Sequence, residues 1–115
     1  MIMLLFLAAQ FERATPTTLP PKFVGAWAEN LALCGKEDTR GVVIEPAAIS
    51  FYEARGAVRA VSAPAARMVS AVVDYAGEGR SWTETNLMQL TDGTLTLTAL
   101  GETTILRRCP PANGS

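Results

Sequence analysis

Glu84 and Asn86 stand two residues apart in the stretch Trp82-Thr83-Glu84-Thr85-Asn86-Leu87-Met88, so in a β-strand their side chains leave the same face as those of Trp82 and Met88. A carboxylate and a carboxamide turned into a small domain are costly to bury unless both are hydrogen-bonded, and functional sites are where such costs are tolerated. Trp82, Glu84 and Asn86 are therefore candidate ligand-binding residues, with Tyr52 and Arg108 as partners that could complete a polar, aromatic-walled site. The bland alternative is a strand that bulges or reaches an open rim here and leaves both groups in water. Acid–base and covalent chemistry have less to work with. The chain contains no histidine, which removes the commonest general base, the serine-type triad and most zinc sites. Glu45, Glu53 and Glu84 show no spacing that demands a shared catalytic pair. No catalytic residue, metal ligand or cofactor is assigned, and no enzymatic activity is expected. Gly77-Glu78-Gly79 lacks the following helix that a phosphate cradle requires and reads as a hairpin turn. Glu37, Asp38 and Arg40 read as a solvated charged loop, and Arg59 and Arg67 as solvent-facing.

The two cysteines, Cys34 and Cys109, bracket most of the chain. They read either as one cross-link tying the start of a β-domain to its end or as two free, buried thiols. Closing a loop of about 75 residues stabilises by roughly 4–5 kcal/mol in the chain-entropy treatment, a large contribution for a single small domain. The start, Met1-Ile2-Met3-Leu4-Leu5-Phe6-Leu7-Ala8-Ala9-Gln10, is an apolar run ending in small residues. It resembles the end of a signal peptide cleaved after Ala9, although no Lys or Arg precedes the run; the alternative is a hydrophobic strand or helix kept in the fold. The run is too short to span a bilayer, and Gln10 stands where a lipoprotein would carry its lipidated Cys. Removal of residues 1–9 would leave a soluble periplasmic or secreted monomer with no stable membrane insertion. The formal net charge is −1 and the eight arginines are scattered, so nucleic-acid binding has no electrostatic footprint.

Residues 10–22 hold Thr15, Pro16, Thr17, Thr18, Pro20 and Pro21 and read as a flexible arm. From 23 to 109 short apolar runs with β-branched residues and alternation, separated by turn signals, indicate an all-β domain, followed by a frayed tail at 110–115 that carries the sequon Asn113-Gly114-Ser115. Strands are expected at 23–28, 41–45, 48–53, 57–62, 67–75, 81–90, 94–100 and 103–108. Asp92-Gly93 predicts a two-residue type I′ hairpin pairing Thr91 with Thr94, Leu90 with Leu95, Gln89 with Thr96 and Met88 with Leu97, which leaves one face apolar. A turn at Gly101-Glu102 would set Leu106 opposite Leu97 and Arg108 opposite Leu95, with Arg108 pointing inward. A turn at Arg55-Gly56 puts Ile49, Phe51, Val58, Ala60, Met68 and Val72 on one face, whereas Trp82 and Met88 share a side with Val73 and Tyr75. A β-bulge in the fifth strand near Val72-Val73 would reconcile the two halves and bend the sheet. The expected architecture is an antiparallel up-and-down meander of about seven or eight strands forming a small closed or nearly closed barrel.

Phe23-Val24-Gly25-Ala26-Trp27 carries Gly-x-Trp at the head of the first strand, and the last strand ends with Arg107-Arg108. This resembles the lipocalin-like (calycin) barrels, and more closely short exported bacterial domains with Gly-x-Trp-Ala followed by a Cys. The resemblance implies that Gly25 and Trp27 lie at the closed end of the barrel and that Arg108, or else Arg107, packs across Trp27. A guanidinium stacked on an indole contributes roughly 0.5–2 kcal/mol. If Trp27 and Arg108 are neighbours, a Cys34–Cys109 cross-link meets a distance problem. Seven extended residues cover about 23 Å, whereas a disulfide allows roughly 7 Å between Cα atoms. Residues 29–33 must then form a loop or one helical turn that folds back beside the chain end.

These readings converge on a non-enzymatic binding module that presents loops or a shallow mouth to an unknown small molecule or protein. Its strands are too short to enclose a large lipid cavity. The alternative is a hydrolase inhibitor whose arm enters an enzyme's cleft, resembling small barrel inhibitors of secreted proteases.

Overall fold

The computed structural model describes residues 16–35 and 41–110. Eight strands follow one another as β1 (Gly25–Ala28), β2 (Val42–Glu45), β3 (Ala48–Ser50), β4 (Arg55–Ala65), β5 (Met68–Gly77), β6 (Arg80–Thr91), β7 (Thr94–Ala99) and β8 (Glu102–Arg108). Each pairs antiparallel with its neighbour in sequence, and β8 returns to β1 to close the barrel. Short 3-10 turns, Pro21–Phe23 and Leu31–Leu33, precede and follow β1. No helix among the described residues is long and apolar enough to cross a membrane. The signal-like start, the Glu37, Asp38 and Arg40 loop and the Asn113-Gly114-Ser115 sequon lie outside the described residues.

Tight turns enforce the meander. Glu78-Gly79, Asp92-Gly93 and Leu100-Gly101 each place two successive residues at positive φ, 52° and 79°, 40° and 84°, and 54° and 81°. That left-handed pair is the type I′ turn, whose twist matches the strands it joins. The β6–β7 register is the expected one, from Thr91 with Thr94 to Met88 with Leu97. The β7–β8 turn sits one residue earlier than Gly101-Glu102, so Leu95 faces Leu106 and Leu97 faces Thr104. Moving a turn by one residue moves the pairing by two, which preserves the faces, and Leu106 stays buried.

Two expectations are corrected on the other side of the barrel. Arg55 and Gly56 lie within β4 rather than at a turn, and residues 51–54 make the connection, with the Phe51 N–H donating to the Ala54 carbonyl at 2.7 Å. Gly56 serves close packing: a Cβ there would stand 2.3 Å from Val73 Cγ1 and 2.6 Å from Tyr75 Cε1. The bulge lies across from the expected place. Val58 pairs with Val73 and Ala60 with Val72, so the extra residue is Arg59 of β4, not a residue of β5. Gly56 and Val58 are buried before it and Val61 after it, the change of parity that a bulge imposes. Arg59 turns outward and binds both carboxylate oxygens of Asp74, at 2.9 and 3.1 Å.

The chain's own arm fills one end of the barrel. Residues 16–22, expected to be flexible, are docked instead: the Val61 N–H donates to the Pro16 carbonyl at 2.9 Å, the Leu19 N–H donates to the Pro46 carbonyl at 2.7 Å, and the Lys22 ammonium reaches the Ala66 carbonyl. Leu19 and Phe23 are 3% and 0% exposed. Burying each side chain contributes about 1.5–3 kcal/mol, more than a polar Thr/Pro segment was expected to offer. Beside them Trp27 is buried and its Nε1–H donates to the Phe23 carbonyl at 3.0 Å. The Arg108 guanidinium lies 4.3 Å above the Trp27 ring and donates to the Val24 and Lys22 carbonyls, each at 2.7 Å. Gly25 makes room for it, since a Cβ there would stand 2.7 Å from Arg108 Nη1.

Cys34 and Cys109 form a disulfide with 5.7 Å between Cα atoms, so the free-thiol alternative is set aside. Residues 29–33 fold back as the distance argument requires. Asn30 caps the Leu31–Leu33 turn by accepting from the Ala32 N–H at 2.9 Å, and the Cys109 N–H donates to the Ala26 carbonyl at 2.8 Å.

Candidate functional site

The end of the barrel opposite the arm is where β6 begins, and its alternation sends Trp82, Glu84 and Asn86 inward one after another. Tyr75 of β5 is paired with Trp82, and the two rings stack with centroids 5.5 Å apart and planes inclined at 22°. Phe51, from the β3–β4 connection, approaches Tyr75 at 6.1 Å. These rings wall a polar chain. The Tyr75 hydroxyl donates to Asn86 Oδ1 at 2.5 Å, and Asn86 Nδ2 donates to Glu84 Oε2 at 2.6 Å. Trp82 Nε1 donates to Glu84 Oε1 at 3.0 Å, and the Leu100 backbone N–H at the β7–β8 turn donates to Glu84 Oε2 at 2.6 Å.

Asn86 is 0% exposed, so its partners come from the protein. Tyr75 and Glu84 supply them, and no buried side-chain polar atom among the described residues lacks a partner. Burial, and then the Glu84 charge, push the Tyr75 hydroxyl well above the usual tyrosine range, which keeps it a donor at every ordinary pH. Glu84 itself is half-buried and looks into a concavity of about 380 Å³ that Glu53, Glu78, Arg80 and Trp82 also line. An adjoining concavity of about 470 Å³ shares Glu53 and Leu100 with the first and adds Phe51 and Tyr52.

Three of the sequence candidates thus meet. Trp82, Glu84 and Asn86 form one network at the open end, and β6 pairs with β5 without a break from Arg80 to Gln89, which removes the bulged alternative. Their expected partners are corrected. Tyr52 is 67% exposed on the rim and bonds to none of the three. Arg108 ends β8 beside Trp27, at the arm end, with its guanidinium committed to that ring and two carbonyls. The partners actually used are Tyr75 and the Leu100 N–H. Cross-strand alternation puts Tyr75 on the same side as Trp82, which was the available signal; a backbone donor at a turn leaves no trace in residue type.

A larger depression of about 730 Å³ lies on the outer wall, bordered by Glu45, Arg55, Ala57, Asp74 and Ala76. Its charged groups already satisfy one another. Arg55 bonds Glu45 at 3.2 Å and Ser50 at 2.5 Å, while the Thr83 hydroxyl and the Arg59 guanidinium hold the Asp74 carboxyl below its usual range. The mouth, with a half-buried carboxylate bonded to the Trp82 indole, is the stronger candidate. Among the described residues no three Cys, Asp or Glu side chains are grouped to hold a metal ion. Comparisons with protein-family models, with curated proteins and with solved structures find no match.

Proposed function

We propose that this chain is a non-enzymatic, lipocalin-like binding module, an exported monomer of the periplasm or extracellular space, whose open end receives a small molecule or a protein partner. The observation that carries the reading is the Glu84 network. Interior positions of a small barrel are ordinarily filled by apolar side chains, yet here a carboxylate, an amide and a phenol are held in place by one another. A site fixed in this way binds without first having to be ordered. The plugged opposite end and the Cys34–Cys109 disulfide support a rigid module suited to an oxidising compartment. The two concavities, of about 380 and 470 Å³, lie at the low end of the range of small-molecule sites, which fits a small ligand or a projecting group of a partner better than a lipid.

A fragment screen by NMR on the full chain tests this. Ligands should shift the Trp82 indole N–H and the Leu100 amide, whereas hits confined to the outer wall or the arm end would defeat the reading. The inhibitor alternative retains the rim loops and loses most of the arm, since residues from Pro16 onward are docked on the barrel. If a chain lacking the residues before Pro16 inhibited secreted hydrolases as well as the full chain does, the arm mechanism would be eliminated.

A further inference from the structure

Resting on the reading of the open end as a binding site, we propose that its ligand presents an ammonium or guanidinium group, seated against Glu84 and the Trp82 ring. All three donors to Glu84, the Trp82 indole, the Asn86 amide and the Leu100 N–H, are neutral. Among the described residues Glu84 has no ion-pair partner. A carboxylate offers about four acceptor positions, so three neutral donors leave both an acceptor position and a full negative charge facing the concavity. Glu53 and Glu78 line the same space, and their charges disfavour an anion there. The aromatic wall has the matching preference. The Arg80 guanidinium already lies 5.8 Å from the Trp82 ring centroid, the contact that an incoming cation would make. Arg80 is exposed, at the first position of β6, and among the described residues it bonds to no carboxylate. It is a resident competitor on the ring that a ligand with a better placed cation displaces. A volume of about 380 Å³ admits one such group with its stem.

The test is an NMR titration of the full chain, read at the Trp82 indole and Leu100 amide. Agmatine serves as a free organic cation and a blocked Ala-Arg-Ala peptide as a protein-borne one, with blocked Ala-Gln-Ala and Ala-Glu-Ala as controls. Both cations are expected to shift these signals, and the tighter arm identifies the source. Glu84→Gln, which keeps the shape and an acceptor, should weaken cation binding at least about tenfold. Arg80→Ala, an exposed change, should strengthen it by roughly threefold, the order of an exposed cation–π contact. Equal shifts from the glutamine peptide would overturn the charge assignment and leave the open end as a binding site. No response to either cation, an unaltered Glu84→Gln affinity, or weaker binding by Arg80→Ala would each overturn it too, while the fragment screen judges the site itself.

Discussion

Removing the Tyr75 hydroxyl should cost more than one ordinary hydrogen bond. Tyr75→Phe keeps the ring, and with it the stack on Trp82 at 5.5 Å and the contact with Phe51 at 6.1 Å. What disappears is the donor to Asn86 Oδ1. Asn86 is 0% exposed, so that oxygen has no water to turn to. A typical hydrogen bond contributes about 1 kcal/mol net, whereas an orphaned buried polar atom costs about 1–3 kcal/mol. We expect about 2 kcal/mol, read as a drop of roughly 1 M in the urea midpoint with an unchanged slope. Adding Asn86→Leu to Tyr75→Phe replaces both partners of this bond with apolar groups; because it also takes the Asn86 donor from Glu84, the Asn86→Leu single variant supplies the correction for that second loss. The double-mutant cycle should return a coupling of about 1–2 kcal/mol between the two positions. A Tyr75→Phe loss under about 0.5 kcal/mol, with no coupling, would mean that water reaches Asn86 through the mouth and that the network is not sealed.

Other outcomes follow from the same geometry. Replacing both Cys34 and Cys109 by Ser opens a cross-link spanning 75 residues and should lower unfolding free energy by about 4 kcal/mol in urea titrations. Arg108→Lys keeps the charge but not the planar fork that covers Trp27 and two carbonyls; a loss of about 1–3 kcal/mol is expected, with altered near-ultraviolet dichroism and an unchanged Trp82 indole signal. Gly56→Ala drives a methyl into Val73 and Tyr75 and should cost about 1–3 kcal/mol while disturbing the Tyr75–Trp82 stack. Thr83 and Arg59 hold Asp74 below its ordinary value of 3.8, so its contribution to stability is present above that value and lost as pH falls through the lower folded one. Asp74→Asn should accordingly flatten the acid side of the stability profile, measured as urea midpoints across pH.

The legible parts of the fold are those in which one residue type has one structural use. Asp92-Gly93 supplies two left-handed positions in a row, and its register could be read strand to strand. Glycine beside an arginine at position 56 was ambiguous: it could turn the chain or admit a neighbour, and only the position of the Tyr75 ring decides between them. Alternation shows that two half-barrels disagree by one residue without showing which strand carries the surplus, and the surplus was Arg59. Leu100 sits at φ 54° with no sequence signal for it, which displaced the last turn by one. The site followed the same logic. Facing was readable, so Glu84 and Asn86 could be placed inside, but who bonds to whom depends on diagonal neighbours across strands and on a main-chain donor. Leu19, a lone apolar residue among Thr and Pro, gave no periodicity from which to infer that the arm plugs the barrel.

Seven of the eight strand pairings join consecutive strands, and the eighth, β1 with β8, rests on two residue pairs. During synthesis β1 emerges first and its second partner last, so it spends nearly the whole elongation time with one edge unpaired. Local hairpins assemble quickly because little chain entropy opposes them, whereas the β1–β8 junction must wait for the terminus. Cys109 lies immediately beyond that terminus strand, bonded to Ala26 of β1. The Cys34–Cys109 bond thus spans the closing junction: with β8 in place beside β1, the cross-link holds together the barrel's thinnest pairing, the one that two residue pairs alone would leave easiest to reopen.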